Sequence, residues 1–150
     1  MVTTHVQTTI REMLPEDLPR LEQMYAGFDP IGEALGLPPG TSERRQAWLA
    51  SLQAGVNVVA LAEDRIVGHL ALMPAEQAAE MAVFVHQDFR RQGLATSLTK
   101  AAVDLARARG LRAMWVLITS SNVAARNGLR NFGFRTAWES MGELQMVYSL

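Results

Sequence analysis

The sequence contains no cysteine, which excludes disulfide bonds, thiolate metal sites and cysteine nucleophiles. An excess of one charge is also absent, because 14 basic and 15 acidic residues leave a formal net charge of −1. Such a balance creates no global field that would attract nucleic acid or an anionic membrane, although a small anion can still be bound locally. We therefore expect neither nucleic acid nor a membrane as a partner.

Long apolar runs are scarce as well, and none approaches the roughly 20 residues that a membrane-spanning helix needs. Residues 1–10 carry neither a basic leader nor the apolar core of a signal peptide. Together with the lack of cysteine, these features predict a cytoplasmic protein.

Histidine is rare, and His5, His69 and His86 do not have the spacing of metal ligands. We therefore expect no metal site. The chain has 150 residues, of which 49% are hydrophobic and 19% are charged. This length and balance predict one folded domain over residues 1–150.

The hydrophobic pattern predicts strands and helices in the order β-α-α-β-β-β-α-β-α-β-β. Strands are expected over residues 7–13, 56–62, 66–73, 80–85, 113–118, 134–138 and 144–148. One helix is expected to open at Pro15, and others are expected over residues 44–53, 94–109 and 122–131. Residues 74–78 are predicted to be a loop. Residues 28–40, rich in proline and glycine, are predicted to be a long connection with at most one helical turn at 33–35.

The most informative segment is residues 83–96, where an apolar strand runs through a short basic turn into a helix. The first N–H groups of a helix have no partner within it, and its dipole adds partial positive charge. Gly93 allows close approach of a ligand to the backbone, while Arg90 and Arg91 add full charges. The segment therefore predicts a site for a pyrophosphate. An ordinary strand–turn–helix connection with two solvated arginines is the alternative.

The spacing Arg90-x-x-Gly93-x-Ala95 resembles the Q/R-x-x-G-x-G/A signature of the GNAT superfamily of acyl-CoA-dependent N-acyltransferases. Further along, Asn122, Ala125 and Gly133-Phe134 resemble that family's N-x-x-A-x-x-x-Y-x-x-x-G-F signature. The predicted order of elements also matches the family. The resemblance implies an α/β (α+β) fold, with a mixed, mostly antiparallel sheet, a central splayed pair of parallel strands and about four flanking helices.

The resemblance also implies acetyl-CoA as co-substrate, with the pantetheine arm lying beside the strand of Val83, Phe84 and Val85. Backbone N–H groups there would stabilise charge on the thioester oxygen. The pyrophosphate would be held by the turn residues Arg90, Arg91, Gln92, Gly93, Leu94, Ala95 and Thr96. Asn122 is expected both to cap its helix and to face the coenzyme.

The chain departs from the family at Leu129, which stands where the signature has a tyrosine. That tyrosine is commonly assigned as the acid that protonates the departing thiolate, and leucine cannot donate a proton. A thiol has a pKa of roughly 8.5, so the thiolate leaves tolerably well without full protonation. Water, Ser120 or Ser121 could serve instead. The departure also leaves open a catalytically weak domain that binds acyl-CoA as a sensor or a partner-binding module.

Glu80, at the start of the central strand, is the predicted base that takes the proton from the attacking amine. Counted back from Arg90, it lies one residue out of register with the base of the family's histone acetyltransferases. Strand alternation would therefore turn its side chain to the other face unless a bulge intervenes. A solvated surface glutamate is the alternative, and His69 and His86 are weaker candidates.

These features together predict an N-acetyltransferase in which a primary amine attacks acetyl-CoA directly within a ternary complex. The acceptor is expected to be a small molecule or a peptide. Tyr25, Asp29 and Glu33 would border it and could bind a cationic amine, or the two acids could simply be solvated. Dimers are common in the resembling family, so a homodimer is compatible with the resemblance. A nucleotide-binding phosphate loop is disfavoured because the turn lacks the Gly-Lys-Ser/Thr ending.

Overall fold

A computed structural model describes residues 7–29 and 38–150. These residues form one seven-stranded sheet in the order β1-β2-β3-β4-β5-β7-β6. The strands are β1 (Thr8–Glu12), β2 (Val56–Ala62), β3 (Arg65–Ala75), β4 (Ala78–Val85), β5 (Ala113–Thr119), β6 (Arg135–Ser140) and β7 (Glu143–Ser149). The helices are α1 (Leu18–Ala26), α2 (Ser42–Leu52), α3 (Leu94–Ala108) and α4 (Val123–Phe132). The helical turn predicted at residues 33–35 lies outside the described residues.

The central pair of strands is parallel, and the other pairs are antiparallel. Strands β4 and β5 pair over only three positions, from Ala78 opposite Ala113 to Glu80 opposite Trp115. Beyond Glu80 the two strands separate, while β4 stays paired with β3 and β5 with β7. The predicted mixed sheet with a splayed parallel pair is confirmed.

Helices cover both faces of the sheet. On one side, called the α3 face, the apolar stripe of α3 enters the larger core through Leu94, Leu98 and Ala102. Residues Met81, Met114 and Met146 of the sheet point to the same core. The opposite side, called the α1/α2 face, holds a second core whose buried members are Leu21, Met24, Tyr25, Phe28, Leu49, Leu52, Val59, Leu61, Ile66, Ala71 and Phe84.

The prediction of a loop at residues 74–78 is wrong. Strand β3 continues to Ala75 and β4 begins at Ala78, so only Glu76 and Gln77 form the turn. Pro74 is paired with Ala79 of β4, but β2 begins at Val56, opposite Leu72, and so does not reach Pro74. Pro74 therefore lies where β3 is a free edge toward β2, and its missing N–H costs the ladder nothing there.

A chain of buried polar groups ties four elements of the α1/α2 face together. The hydroxyl of Tyr25 lies 2.6 Å from Nδ1 of His69, and Nε2 of His69 lies 2.8 Å from Oδ1 of Asn57. The Asn57 amide donates to the Leu52 carbonyl at 2.9 Å. This last bond directs Oδ1 of Asn57 to His69, so the neutral ring donates from Nε2 and accepts the Tyr25 hydroxyl at Nδ1.

Protonation of His69 should destabilise the fold, because burial lowers the pKa of this side chain to about 3. The unfolded chain binds its proton near pH 6.5, so stability is full above this pH and falls as the pH falls toward 3. The expected loss is about 1.4 kcal/mol per pH unit, or about 2 kcal/mol between pH 6.5 and 5. Urea unfolding of the wild type and of His69→Gln at several pH values measures this loss in the free energy of unfolding. The gap between the two proteins should shrink as the pH falls, and a constant gap would contradict the assignment.

Candidate active site

A cleft of about 580 Å³ lies where β4 and β5 separate. Because the strands lose contact there, side chains from both faces of the sheet reach it. It is lined by Trp48, Glu80, Met81, Ala82, Val83, Phe84, Ala95, Thr96, Thr99, Val116, Leu117, Ile118, Thr119, Asn122, Ala124, Ala125, Gly128, Leu129 and Phe132. Most of this lining is apolar, so the cleft suits an extended ligand with few charges along its length.

The open edge of β4 presents backbone groups to this cleft. The N–H of His86 donates to the Val67 carbonyl of β3 at 2.8 Å. Backbone groups alternate in direction along a strand, so the N–H of Phe84 also faces β3, whereas those of Val83 and Val85 point away from β3 to the open edge. Of these two valines, Val83 lines the cleft. Of the three residues predicted to offer backbone donors, Phe84 instead contributes its ring to the lining.

The turn that follows β4 has the features of an anion site. Arg91 and Gly93 both have left-handed backbones, with φ of 63° and 79°. The first bond of α3 runs from the Ser97 N–H to the Gly93 carbonyl at 3.1 Å, and no side chain caps the helix. The N–H groups of residues 94–96 therefore precede the first intrahelical bond.

The residues of this turn are arranged for access from outside. A methyl group built on Gly93 would meet nothing within 4 Å, so the space beside its backbone is open. Leu94 is buried and anchors α3, whereas Ala95 and Thr96 are exposed and line the cleft. Arg91 and Gln92 are exposed at the turn. The turn thus presents N–H groups and a cation at one end of the cleft.

Arg90 has a different place from the one its motif predicts. Its Nε donates to the Val85 carbonyl at 3.0 Å, and Nη2 donates to the Asp29 carbonyl at 2.7 Å. The guanidinium also lies 5.2 Å from the centre of the Phe28 ring. The side chain therefore fastens the turn to the end of α1, whereas Arg91 is exposed and makes no hydrogen bond or ion pair within residues 7–29 and 38–150.

Gln87 makes a second tie between the same two segments. Its side chain donates to the Gly27 carbonyl at 2.8 Å and accepts from the Asp29 N–H at 3.1 Å. These partners lie about 60 residues away in the chain, so no local pattern could have indicated them. The segment 27–29 is thus held to the turn by two side chains.

Gln87→Ala should loosen this tie. Removal of two partly exposed hydrogen bonds is expected to lower the free energy of unfolding by about 1 kcal/mol. Hydrogen exchange at the Asp29 amide should become faster, because this N–H loses its acceptor. Gln92→Ala, in the same turn, removes an amide with no such bonds and is the matched control. Equal exchange rates in the wild type and Gln87→Ala would show that the amide contact is not formed in solution.

Asn122 occupies the predicted position at the start of α4. Its Oδ1 accepts the Ala125 N–H at 3.2 Å, so its capping role is confirmed, and the residue also lines the cleft. Leu129 lines the cleft as well, because one face of α4 is turned to the cleft.

The two serines that could replace the tyrosine hydroxyl do not line the cleft. The buried hydroxyl of Ser120 is directed to Glu139 instead: hydrogen bonding from Ser120 and from Arg126 lowers the pKa of the Glu139 carboxyl group. Thr96, predicted as a residue of the phosphate turn, and Thr119, which the sequence did not indicate, both line the cleft.

Glu80 lines the cleft and is exposed. The pairing of β3 with β4 is continuous from Val85 to Ala78, so no bulge shifts its direction. Alternation therefore places Glu80 with Ala82 and Phe84 on the α1/α2 face, whereas Ala79 is buried on the α3 face. As expected for a strand without a bulge, Glu80 is turned away from the face that the register of the family's base would give, but it still lines the cleft.

The remaining candidates for acid or base lie outside the cleft lining. Tyr25 and His69 bond to each other in the core. His86 caps the turn after β4 by accepting the Asp88 N–H, and burial lowers its pKa. The backbone of Asp29 is tied to the turn, and Glu33 lies outside the described residues.

Comparison with known proteins assigns this architecture. The model of the Acetyltransferase (GNAT) family matches residues 18–134, which is well over half of the chain. The chain belongs to the GNAT family. The match spans the cleft, the turn at Gly93 and the capped helix at Asn122, so it covers every residue discussed above as part of the site.

Solved GNAT structures share the fold across nearly the whole chain. A ribosomal-protein-alanine N-acetyltransferase from Brucella melitensis has a TM-score of 0.76 at 23% identity, covering 95% of this chain and 99% of that one. The GNAT domain of PAT from S. lividans has a TM-score of 0.80 at 16% identity, with coverage of 94% and 89%. YncA of Salmonella typhimurium, solved with its cofactor acetyl-CoA, has a TM-score of 0.74 at 20% identity, with coverage of 95% and 94%.

No curated protein matches the chain. In the part of this GNAT domain that the structure describes, no cluster of three or more histidine, aspartate or glutamate side chains could hold a metal ion. Among the same residues, no helix is both long and apolar enough to cross a membrane.

Proposed function

We propose that this GNAT domain, acting in the cytoplasm as one unit over residues 1–150, transfers an acetyl group from acetyl-CoA to a primary amine. The observation that carries the proposal is the continuity of the open β4 edge with the turn at Gly93. One end of the cleft offers N–H groups and a cation, and the rest of its lining is mostly apolar. Such a surface matches a ligand with a pyrophosphate at one end and a long neutral arm.

The residues present fit this coenzyme. The N–H groups of residues 92–96, together with the guanidinium of Arg91, would hold the pyrophosphate. The N–H groups of Val83 and Val85 would bind the neutral arm, and Asn122 would contact it from α4. When bound, acetyl-CoA supplies an acetyl group activated as a thioester.

Residues of this chain would perform two tasks in the transfer. The carboxylate of Glu80 would take a proton from the amine nitrogen, directly or through water, so that the nitrogen lone pair can attack. The N–H groups at the open β4 edge would stabilise negative charge that develops on the acyl oxygen. Direct attack by the amine needs no thiol on the enzyme, which agrees with the absence of cysteine from the chain.

No tyrosine assists the departure of the thiolate from this position, because Leu129 stands at the tyrosine position of the family signature and lines the cleft. Thr96, Thr119 and Asn122 line the cleft with side chains that can donate a hydrogen bond, and water is a further donor. A thiol pKa of roughly 8.5 makes the thiolate a tolerable leaving group, so a weak donor suffices. Leu129 also supports the second candidate function, a domain that binds acyl-CoA as a sensor with little turnover.

Incubation with acetyl-CoA and a panel of amines, with release of free thiol as the readout, separates these functions. The panel should contain lysine peptides, peptides with free N-termini, polyamines and small aromatic amines. We expect calorimetric binding of acetyl-CoA and thiol release with at least one amine. Tight binding without release would favour the sensor, and no binding would overturn both functions.

A further inference from the structure

We propose that the α1/α2 face of the cleft is an acceptor site for a primary amine on an apolar group that has no carboxylate beside it, and that Trp48 binds this amine. The inference rests on the proposed function and names its substrate class. It follows from which side chains reach the cleft from that face and from the charges that they carry.

Strand alternation separates the cleft lining into two halves. Val116 and Ile118 of β5 are buried on the α3 face, so Leu117 and Thr119 point to the α1/α2 face. The half of the lining on the α1/α2 face consists of Trp48, Glu80, Ala82, Phe84, Leu117 and Thr119. The coenzyme turn leads into the other half, through Ala95, Thr96 and α4. An amine can therefore enter from the side opposite the coenzyme.

The charge that lines this side of the cleft is negative. Glu80 is the single charged residue that lines the cleft among the described residues. Glu143 of β7 pairs directly with Thr119, so its side chain lies on the same face. An ammonium group is attracted here, whereas a carboxylate next to it would be repelled.

Among the described residues, no arginine lines the cleft. Arg90 is bonded to two carbonyls at the end of α1, and Arg45, one turn before Trp48 on α2, is outside the cleft lining. An α-amino acid bound through its amine at Glu80 would thus place its carboxylate beside another carboxylate, among apolar side chains that screen charge poorly.

Trp48 is held in position to bind the amine. Its ring meets the Tyr25 ring edge-on at 5.0 Å between centroids and the Phe84 ring at 5.5 Å. Tyr25 is in turn fixed by its hydrogen bond to His69. A fixed indole that lines the same cleft as a carboxylate can bind an ammonium by a cation–π contact and can cover an apolar group attached to it.

Three related acceptors test the substrate class with the wild-type enzyme and acetyl-CoA. Phenethylamine and phenylalaninamide lack a carboxylate, and phenylalanine adds one. The kcat/KM for phenethylamine and for phenylalaninamide should exceed that for phenylalanine by about 10- to 100-fold. In Glu80→Gln, the three kcat/KM values should lie closer together. Equal or higher kcat/KM for phenylalanine would overturn the inference.

Variants of Trp48 test the residue itself. Trp48→Leu should raise KM for phenethylamine about 10-fold with a smaller change in kcat, and Trp48→Phe should restore most of the loss. Trp138→Leu is the control and should leave KM unchanged. Trp138 is 43% exposed on β6, and β6 lies three strands away from β4, a separation of about 14 Å. An unchanged KM in Trp48→Leu would remove Trp48 from the site. If KM is unchanged while the variants bind acetyl-CoA normally, the proposed acceptor site is wrong but the proposed function is not affected. If the wild type does not bind acetyl-CoA, the proposed function itself is wrong.

Discussion

Gly93→Val is expected to weaken acetyl-CoA binding by at least about 100-fold while the domain stays folded. A side chain here points into open space, so it clashes with nothing in the protein. It would instead occupy the place beside the N–H groups of the turn, which the pyrophosphate needs. The left-handed φ of 79° adds a backbone strain of about 1–2 kcal/mol, which a folded domain tolerates.

Gly110→Val is a matched control for this prediction. Gly110 follows the other end of α3, has φ of 77° and also has nothing within 4 Å of a built methyl group. Both variants should lose similar stability in thermal unfolding, but only Gly93→Val should lose affinity in calorimetry. Equal affinities in the two variants would separate the turn from the coenzyme.

Glu80→Gln should lower kcat/KM by about 10²- to 10⁴-fold, the usual contribution of a general base. Glutamine keeps the shape of the side chain and removes its capacity to take a proton. A primary amine has a pKa of about 10, so its neutral form becomes more abundant as the pH rises and needs the base less. The deficit should therefore be largest at low pH and should shrink as the pH increases.

A control for this variant lies in the same hairpin. Glu76→Gln changes an exposed carboxylate in the turn between β3 and β4, outside the cleft lining, and should leave the pH–rate profile unchanged. Acetyl-CoA affinity should be normal in both variants, because Glu80 faces the acceptor side. A wild-type profile in Glu80→Gln would assign the proton to water or to another group.

Much of the fold could be predicted because its signals are local. The apolar stripe of α3 and the alternation along β4 are both carried by neighbouring residues. The turn at 74–78 was predicted wrongly because proline usually breaks a strand. Whether Pro74 interrupts a ladder depends on where the neighbouring strand β2 begins, which is a property of the assembled sheet.

The site was predicted less completely for the same reason. The motif indicated Arg90 as a phosphate ligand, but the guanidinium is held by carbonyls, one of them 61 residues away. Gln87 bonds across a similar distance. Trp48 gave no signal of its own in the sequence, since its role depends on how α2 packs beside the splayed strands.

A crystal structure of the complex with acetyl-CoA would examine the site at atomic detail. The pyrophosphate oxygens should lie about 3 Å from the N–H groups of residues 92–96, with the pantetheine arm between β4 and β5. A coenzyme bound at another surface, with this turn and cleft left empty, would contradict the assignment.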